Sequence, residues 1–109
     1  AAVRQAVCRN VNAPLDLLDS LATDPDPGVR RLTAAHPNTP IQTLRALTQD
    51  ADIEVLLAVA RHPRADRDLL TVLAYDDRDP QVRLAAQGRL EPMLRREIRD
   101  DILERWALE

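Results

Sequence analysis

The stretch DPDPGVRRLTAAHPNTPIQTLRALTQD, Asp24–Asp50, decides the fold. It holds two short helical patterns, each with its own start and stop signals. Asp26 stands before Pro27, where a carboxylate meets free N–H groups and a first helical turn tolerates proline. Pro37 ends that pattern, because the residue before a proline resists the helical region. Thr39 is the expected N-cap of the next pattern, with Pro40 in its first turn. Leu44 and Leu47, at i and i+3, give that helix one buried stripe.

The unit recurs along the chain. It starts at Val3, Val29 and Val55 and restarts at Val82, so the steps are 26, 26 and 27 residues, with the extra residue in the loop before Val82. Leu18, Leu44 and Leu70 form a second column, and Leu21, Leu47 and Leu73 a third. Asp24, Asp50 and Asp76 form a polar column, and Asn10, His36 and His62 share a slot. Each repeat reads as two helices. The first spans 14–22, 40–49 and 66–75; the second spans 27–35, 52–61 and 79–88. Helices this short are marginal alone. Each pair buries its Leu and Val columns only against the adjoining pair, so stability is of nearest-neighbour kind and the ends need polar caps.

The period breaks after residue 90. Pro92 reads as the first residue of a separate helix over 91–109, with Leu94, Ile98, Ile102 and Trp106 on one face and Arg95, Arg96, Arg99, Asp100, Asp101 and Arg105 on the other. It is expected to cap the repeats of residues 1–90 within a single domain; a docking or dimerising helix is the alternative. The expected architecture is therefore an all-α solenoid of about three and a half repeats with a C-terminal capping helix.

The phrases HPNTP (His36–Pro40), LRALTQD (Leu44–Asp50) and DPDPGVRRLTAA (Asp24–Ala35) resemble the leucine-rich-repeat variant family, over about Val3–Leu90. The resemblance implies a right-handed superhelix in which an α-helix pairs with a second short helix, often 3₁₀. The Asp-Pro…Val-Arg phrase is also similar to HEAT repeats, which makes an α-α superhelix the alternative architecture. Leu56 stands where Arg4, Arg30 and Arg83 stand in the other copies, and Asp66 where Pro14 and Pro40 do. At least one member of the family carries an iron–sulfur cluster on a separate group of cysteines. This chain has only Cys8, so no cofactor is carried over.

Composition narrows the function. The net charge is −3, with 18 acidic residues against 15 basic ones, all of them Arg, so there is no general drive toward nucleic acid or acidic membranes. The longest apolar runs fall well short of a bilayer span, and no signal peptide stands at the first residue. A single cysteine makes a reducing cytoplasm the expected location. The chain opens on Ala1 inside a repeat, so it is expected to be a module of a longer protein. With two glycines and one serine, Ser20, there is no phosphate loop and no nucleophile elbow. His36 and His62 lie one repeat apart, too far to share a metal, and Asn10, His36 and His62 are expected to bond free carbonyls at helix C-termini. The Asp column with Arg4, Arg30 and Arg83 is expected to fix loops, and Cys8, aligned with Ala34 and Ala60, to be a small buried residue. No catalytic, cofactor or metal residue is expected. A non-catalytic scaffold for a protein partner is the leading expectation, with Arg30, Arg31, Arg61, Arg64, Arg83 and Gln87 as candidate contact residues. A nucleic-acid-binding solenoid is the alternative, its Arg face seeded by Arg61, Arg64, Arg67 and Arg89.

Overall fold

The computed structural model describes residues 2–75 and 79–108; Asp76 of the Asp column lies outside the described residues. Among the described residues the chain forms seven helices: α1 (Ala2–Cys8), α2 (Leu15–Leu21), α3 (Pro27–Ala35), α4 (Ile41–Leu47), α5 (Ile53–Arg61), α6 (Arg67–Ala74) and α7 (Pro80–Leu108). Both helices of each pair are α, where the family resemblance implies a 3₁₀ partner: Leu18, Leu44 and Leu70 each donate to the carbonyl four residues back, at Pro14, Pro40 and Asp66.

The caps explain the breaks. Asp26 accepts from the Gly28 N–H, and Asp52 from those of Glu54 and Val55. At the other end His36 and His62 are extended, each ahead of its proline. Thr39 does not cap α4. It is fully buried and donates to the Thr33 carbonyl at 2.6 Å, while Pro40 occupies the cap position without a side-chain bond. Asp66, the departure from proline, is a true N-cap that accepts from the Leu69 N–H.

The α1, α3, α5 and α7 helices pack directly on one another in a row, whereas α2, α4 and α6 touch chiefly their neighbours in that row. Leu18, Leu44 and Leu70 are all 0% exposed, as are Val29, Val55 and Val82. Each such side chain contributes roughly 1.5–3 kcal/mol over its exposed state. Val3, first of its column, has no described repeat against it and is 78% exposed. Leu56, in the Arg column, is fully buried in the main core. The radius of gyration is 16.3 Å, above the roughly 13 Å of a compact domain of this length, as a stack requires.

The C-terminal segment departs from the sequence expectation. Pro92 does not open a separate helix over 91–109; it lies inside the continuous α7. Val82, Ala86 and Leu90 are buried, and Met93 packs against the same core. From there the apolar residues continue every fourth position, and each such step turns about 40° around a 3.6-residue helix. Beyond Met93 the helix runs past the repeats on every face: all residues from Leu94 to Ala107 are exposed, Leu94 by 36%, Ile98 by 62%, Ile102 by 48% and Trp106 by 75%. Because α7 runs on, its far end covers nothing, and Arg67–Glu97 at 3.4 Å is the last ion pair from α7 to the repeats among the described residues.

Candidate interaction surface

Two ladders of side-chain bonds lock the repeats together and fix what the exposed surface can offer. The first runs along the ends of the second helices. His36 Nδ1 accepts from the Asn38 N–H at 3.0 Å, which leaves the ring proton on Nε2. That Nε2 donates to the carbonyl of Asn10, in the preceding repeat, at 2.8 Å. His62 repeats the arrangement: it accepts from the Arg64 N–H at 3.0 Å and donates to the His36 carbonyl at 2.7 Å. Arg89 fills the same slot one repeat on, and its Nη1 donates to the carbonyls of His62, at 2.6 Å, and Ala60, at 2.7 Å. The histidines bond carbonyls as expected, but those carbonyls are not free, since those of Asn10 and His36 also accept from the Ala13 and Thr39 N–H groups. Asn10 departs from the expectation, its Oδ1 accepting from the Asn12 N–H at 3.0 Å. The sequence did not indicate that each carbonyl belongs to the preceding repeat, nor that Arg89 completes the series. The signal was available in the 27-residue step from His62 to Arg89.

This geometry uses the neutral imidazole fully. Burial lowers the His62 pKa first, and the Arg64 and Arg89 charges lower it further, against the opposing hydrogen bond to the His36 carbonyl. Both rings are committed to backbone groups, and among the described residues no group of three or more His, Cys, Asp or Glu is placed to hold a metal ion.

The second ladder lies at the opposite edge. Arg4 reaches Asp24 at 2.6 Å, and Arg30 Nε donates to Asp50 at 2.7 Å. Arg30 Nη1 also donates to the carbonyls of Asp24 and Pro25, so one guanidinium ties the turns of two repeats. The Asp26 N–H, followed by Arg4, holds Asp24 below the ordinary carboxylate range. Asp50, its hydrogen bond to the guanidinium first, raises the Arg30 pKa. Cys8 is buried, its Sγ 3.4 Å from Thr33 Oγ1.

The six candidate contact residues divide accordingly. Arg30 is part of the second ladder. Gln87 is exposed but donates to the Ala74 carbonyl at 3.2 Å. Arg83 is half-buried and engaged. Arg31, Arg61 and Arg64 are exposed, and no ion pair or side-chain hydrogen bond holds them among the described residues. Arg31 and Arg61 come together at a hollow of about 390 Å³ between α3 and α5, lined also by Leu32, Ala35, Glu54, Leu57, Ala58 and His62. Of the nucleic-acid seeds, Arg61 and Arg64 are free, while Arg67 pairs with Glu97 and Arg89 is spent on carbonyls. Among the described residues no helix is long and apolar enough to cross a membrane.

A stack of short helix pairs, each bonded to the preceding one through the same sequence slot, defines a helical repeat protein. Residues 27–52, one full period, match the family model described as leucine rich repeat variant, and the resemblance read from the sequence is borne out there. Neither the curated proteins nor the solved structures compared with the chain match it.

Proposed function

We propose that this chain is a non-catalytic repeat scaffold that binds a protein partner along the row α1, α3, α5 and α7. The observation that carries this reading is a contrast between columns. The apolar columns of the core repeat the same residue types, as in Val29, Val55 and Val82, whereas an exposed slot along the row reads Arg9, Ala35, Arg61 and Gly88. Core positions are held to type while this surface slot differs from repeat to repeat, as expected when a regular stack presents one irregular surface to a partner. Direct packing between successive members of this row, and little between α2, α4 and α6, supports reading it as the inner side of a curved stack. The right-handed superhelix implied by the family resemblance agrees with that reading, and the buried thiol of Cys8 suits a cytoplasmic location.

The nucleic-acid reading is weaker, because two of its four arginines are committed within the fold and no aromatic residue lines the hollow between α3 and α5. Cross-linking of the full chain in its native cell extract, followed by mass spectrometry, tests the proposal. The expected result is a protein partner whose cross-links fall on α1, α3, α5 or α7. Cross-links to no protein, together with a mobility shift of a nucleic-acid duplex at low salt, would overturn it.

A further inference from the structure

The chain has fifteen arginines and no lysine, and the fold engages many of the guanidinium groups. Arg4, Arg30, Arg45 and Arg67 are ion-paired between elements, Arg89 holds two carbonyls, and Arg95 and Arg105 pair within α7. Against that background, two exposed guanidinium groups without a carboxylate frame one hollow. Glu54 lines the same hollow yet pairs with neither Arg31 nor Arg61 within ion-pair distance, so the hollow keeps a net positive charge. Its floor is apolar: Leu32, Ala35 and Ala58 are partly open, and Leu57 is almost fully covered. A space of about 390 Å³ is at the small end of ligand pockets, enough for a few side chains rather than a folded element.

We infer that the hollow between α3 and α5 takes an acidic, apolar segment of a protein partner. An aliphatic side chain rests on Leu32, Leu57 and Ala58, and a neighbouring Asp or Glu carboxylate is forked between Arg31 and Arg61. The inference rests on the scaffold reading and adds the chemistry of the partner. The energetic case is charge complementarity over an apolar floor. A carboxylate brought between two unpaired guanidinium groups gains charge-assisted, bidentate bonds, and the covered floor excludes the water that would otherwise screen them. Burying the aliphatic neighbour adds the non-directional part of the affinity. A nucleic-acid strand would find no stacking ring there and would meet Glu54.

The test uses the full chain, immobilised, and a displayed random dodecapeptide library as the probe. The expected outcome is enrichment of sequences with Asp or Glu beside Leu, Ile or Met. A synthetic copy of an enriched peptide should lose at least about tenfold in affinity for the double variant Arg31→Ala/Arg61→Ala, the scale of losing a forked ion pair. Arg96→Ala, which removes the same charge from an exposed site on α7, should leave affinity within about twofold. Glu54→Gln should tighten binding, because a like charge is removed from the rim. Unchanged circular dichroism melts confirm that the variants fold, and Arg31→Lys/Arg61→Lys gives a second reading in which charge stays and the fork is lost. Enriched peptides without acidic residues, or with equal affinity for the double variant, would overturn the hollow's assignment and leave the scaffold reading standing. No enrichment over bare support, together with a shifted RNA or DNA oligonucleotide at low salt, would overturn both.

Discussion

The two edges of the stack solve one problem with different chemistry. On the Asp edge, charged side chains cross between turns, and Arg4 keeps 46% of its side chain exposed. On the His edge, neutral rings 2–3% exposed reach turn carbonyls of the preceding repeat, which each also accept one backbone N–H. Both edges follow the repeat, yet they differ in what breaks them. An exposed ion pair is screened by salt and contributes little. A buried ring that bonds a backbone carbonyl and a backbone N–H at once is costly to remove, because the N–H then loses its partner, the link to the preceding repeat is lost and a buried space is left. Coupling between repeats should therefore be carried mainly by the His edge.

The largest effect is expected at His62. His62→Ala should cost about 3 kcal/mol, from the Arg64 N–H left without its partner, the lost bond to the His36 carbonyl and an unfilled space, measured by urea unfolding. His36→Ala should cost less, about 1–2 kcal/mol, because Asn10 at the first repeat is exposed and water can take over its carbonyl. Equal losses at the two positions would contradict the comparison.

On the Asp edge, Arg30→Ala should cost about 1–2 kcal/mol, since this half-buried guanidinium also holds two carbonyls. Arg4→Ala should cost under about 1 kcal/mol and lose even that in 1 M salt. Denaturant midpoints compared at two salt concentrations in urea separate the two arginines.

Acid should separate the edges. His62 titrates below its ordinary value, so on acidification the unfolded chain takes the proton first. The ring's contribution is complete above about pH 6.5 and is lost as the pH falls from there toward the folded-state pKa, at up to about 1.4 kcal/mol per pH unit. Asp24 and Asp66 lie below the ordinary carboxylate value. Their contribution stays intact above about pH 4 and disappears only below it. A stability profile should therefore fall first as the pH drops below about 6.5, and His62→Asn should flatten that step alone.

The smallest effect belongs to the far half of α7, which neither ladder reaches. Ile98→Ser and Trp106→Ser should change stability by less than about 0.5 kcal/mol, as exposed positions do. A larger loss in a thermal melt would restore the capping role that the sequence pattern suggests.

The candidate surface was legible in the sequence only in part. Arg31, Arg61 and Arg64 were among the candidate residues and are free, but Arg30, Arg83 and Gln87 looked equivalent to them. An arginine's partner is set by what the neighbouring repeat brings within reach. Arg30 meets Asp50, twenty positions away, while Arg31, adjacent in the chain, points elsewhere on the helix and meets no carboxylate.

Sequence by itself determined the local order of this protein: where short helices start and stop at Asp, Pro and His, and which Leu and Val columns must be covered. Those follow from backbone constraints and a 26-residue period that any single repeat displays. Tertiary structure alone decided which carbonyl each imidazole reaches, which guanidinium groups remain free, and that α7 passes through Pro92. Packing of Leu90 and Met93 on the core holds the helix through its proline, and side chains far apart in the chain find partners only once the repeats are stacked.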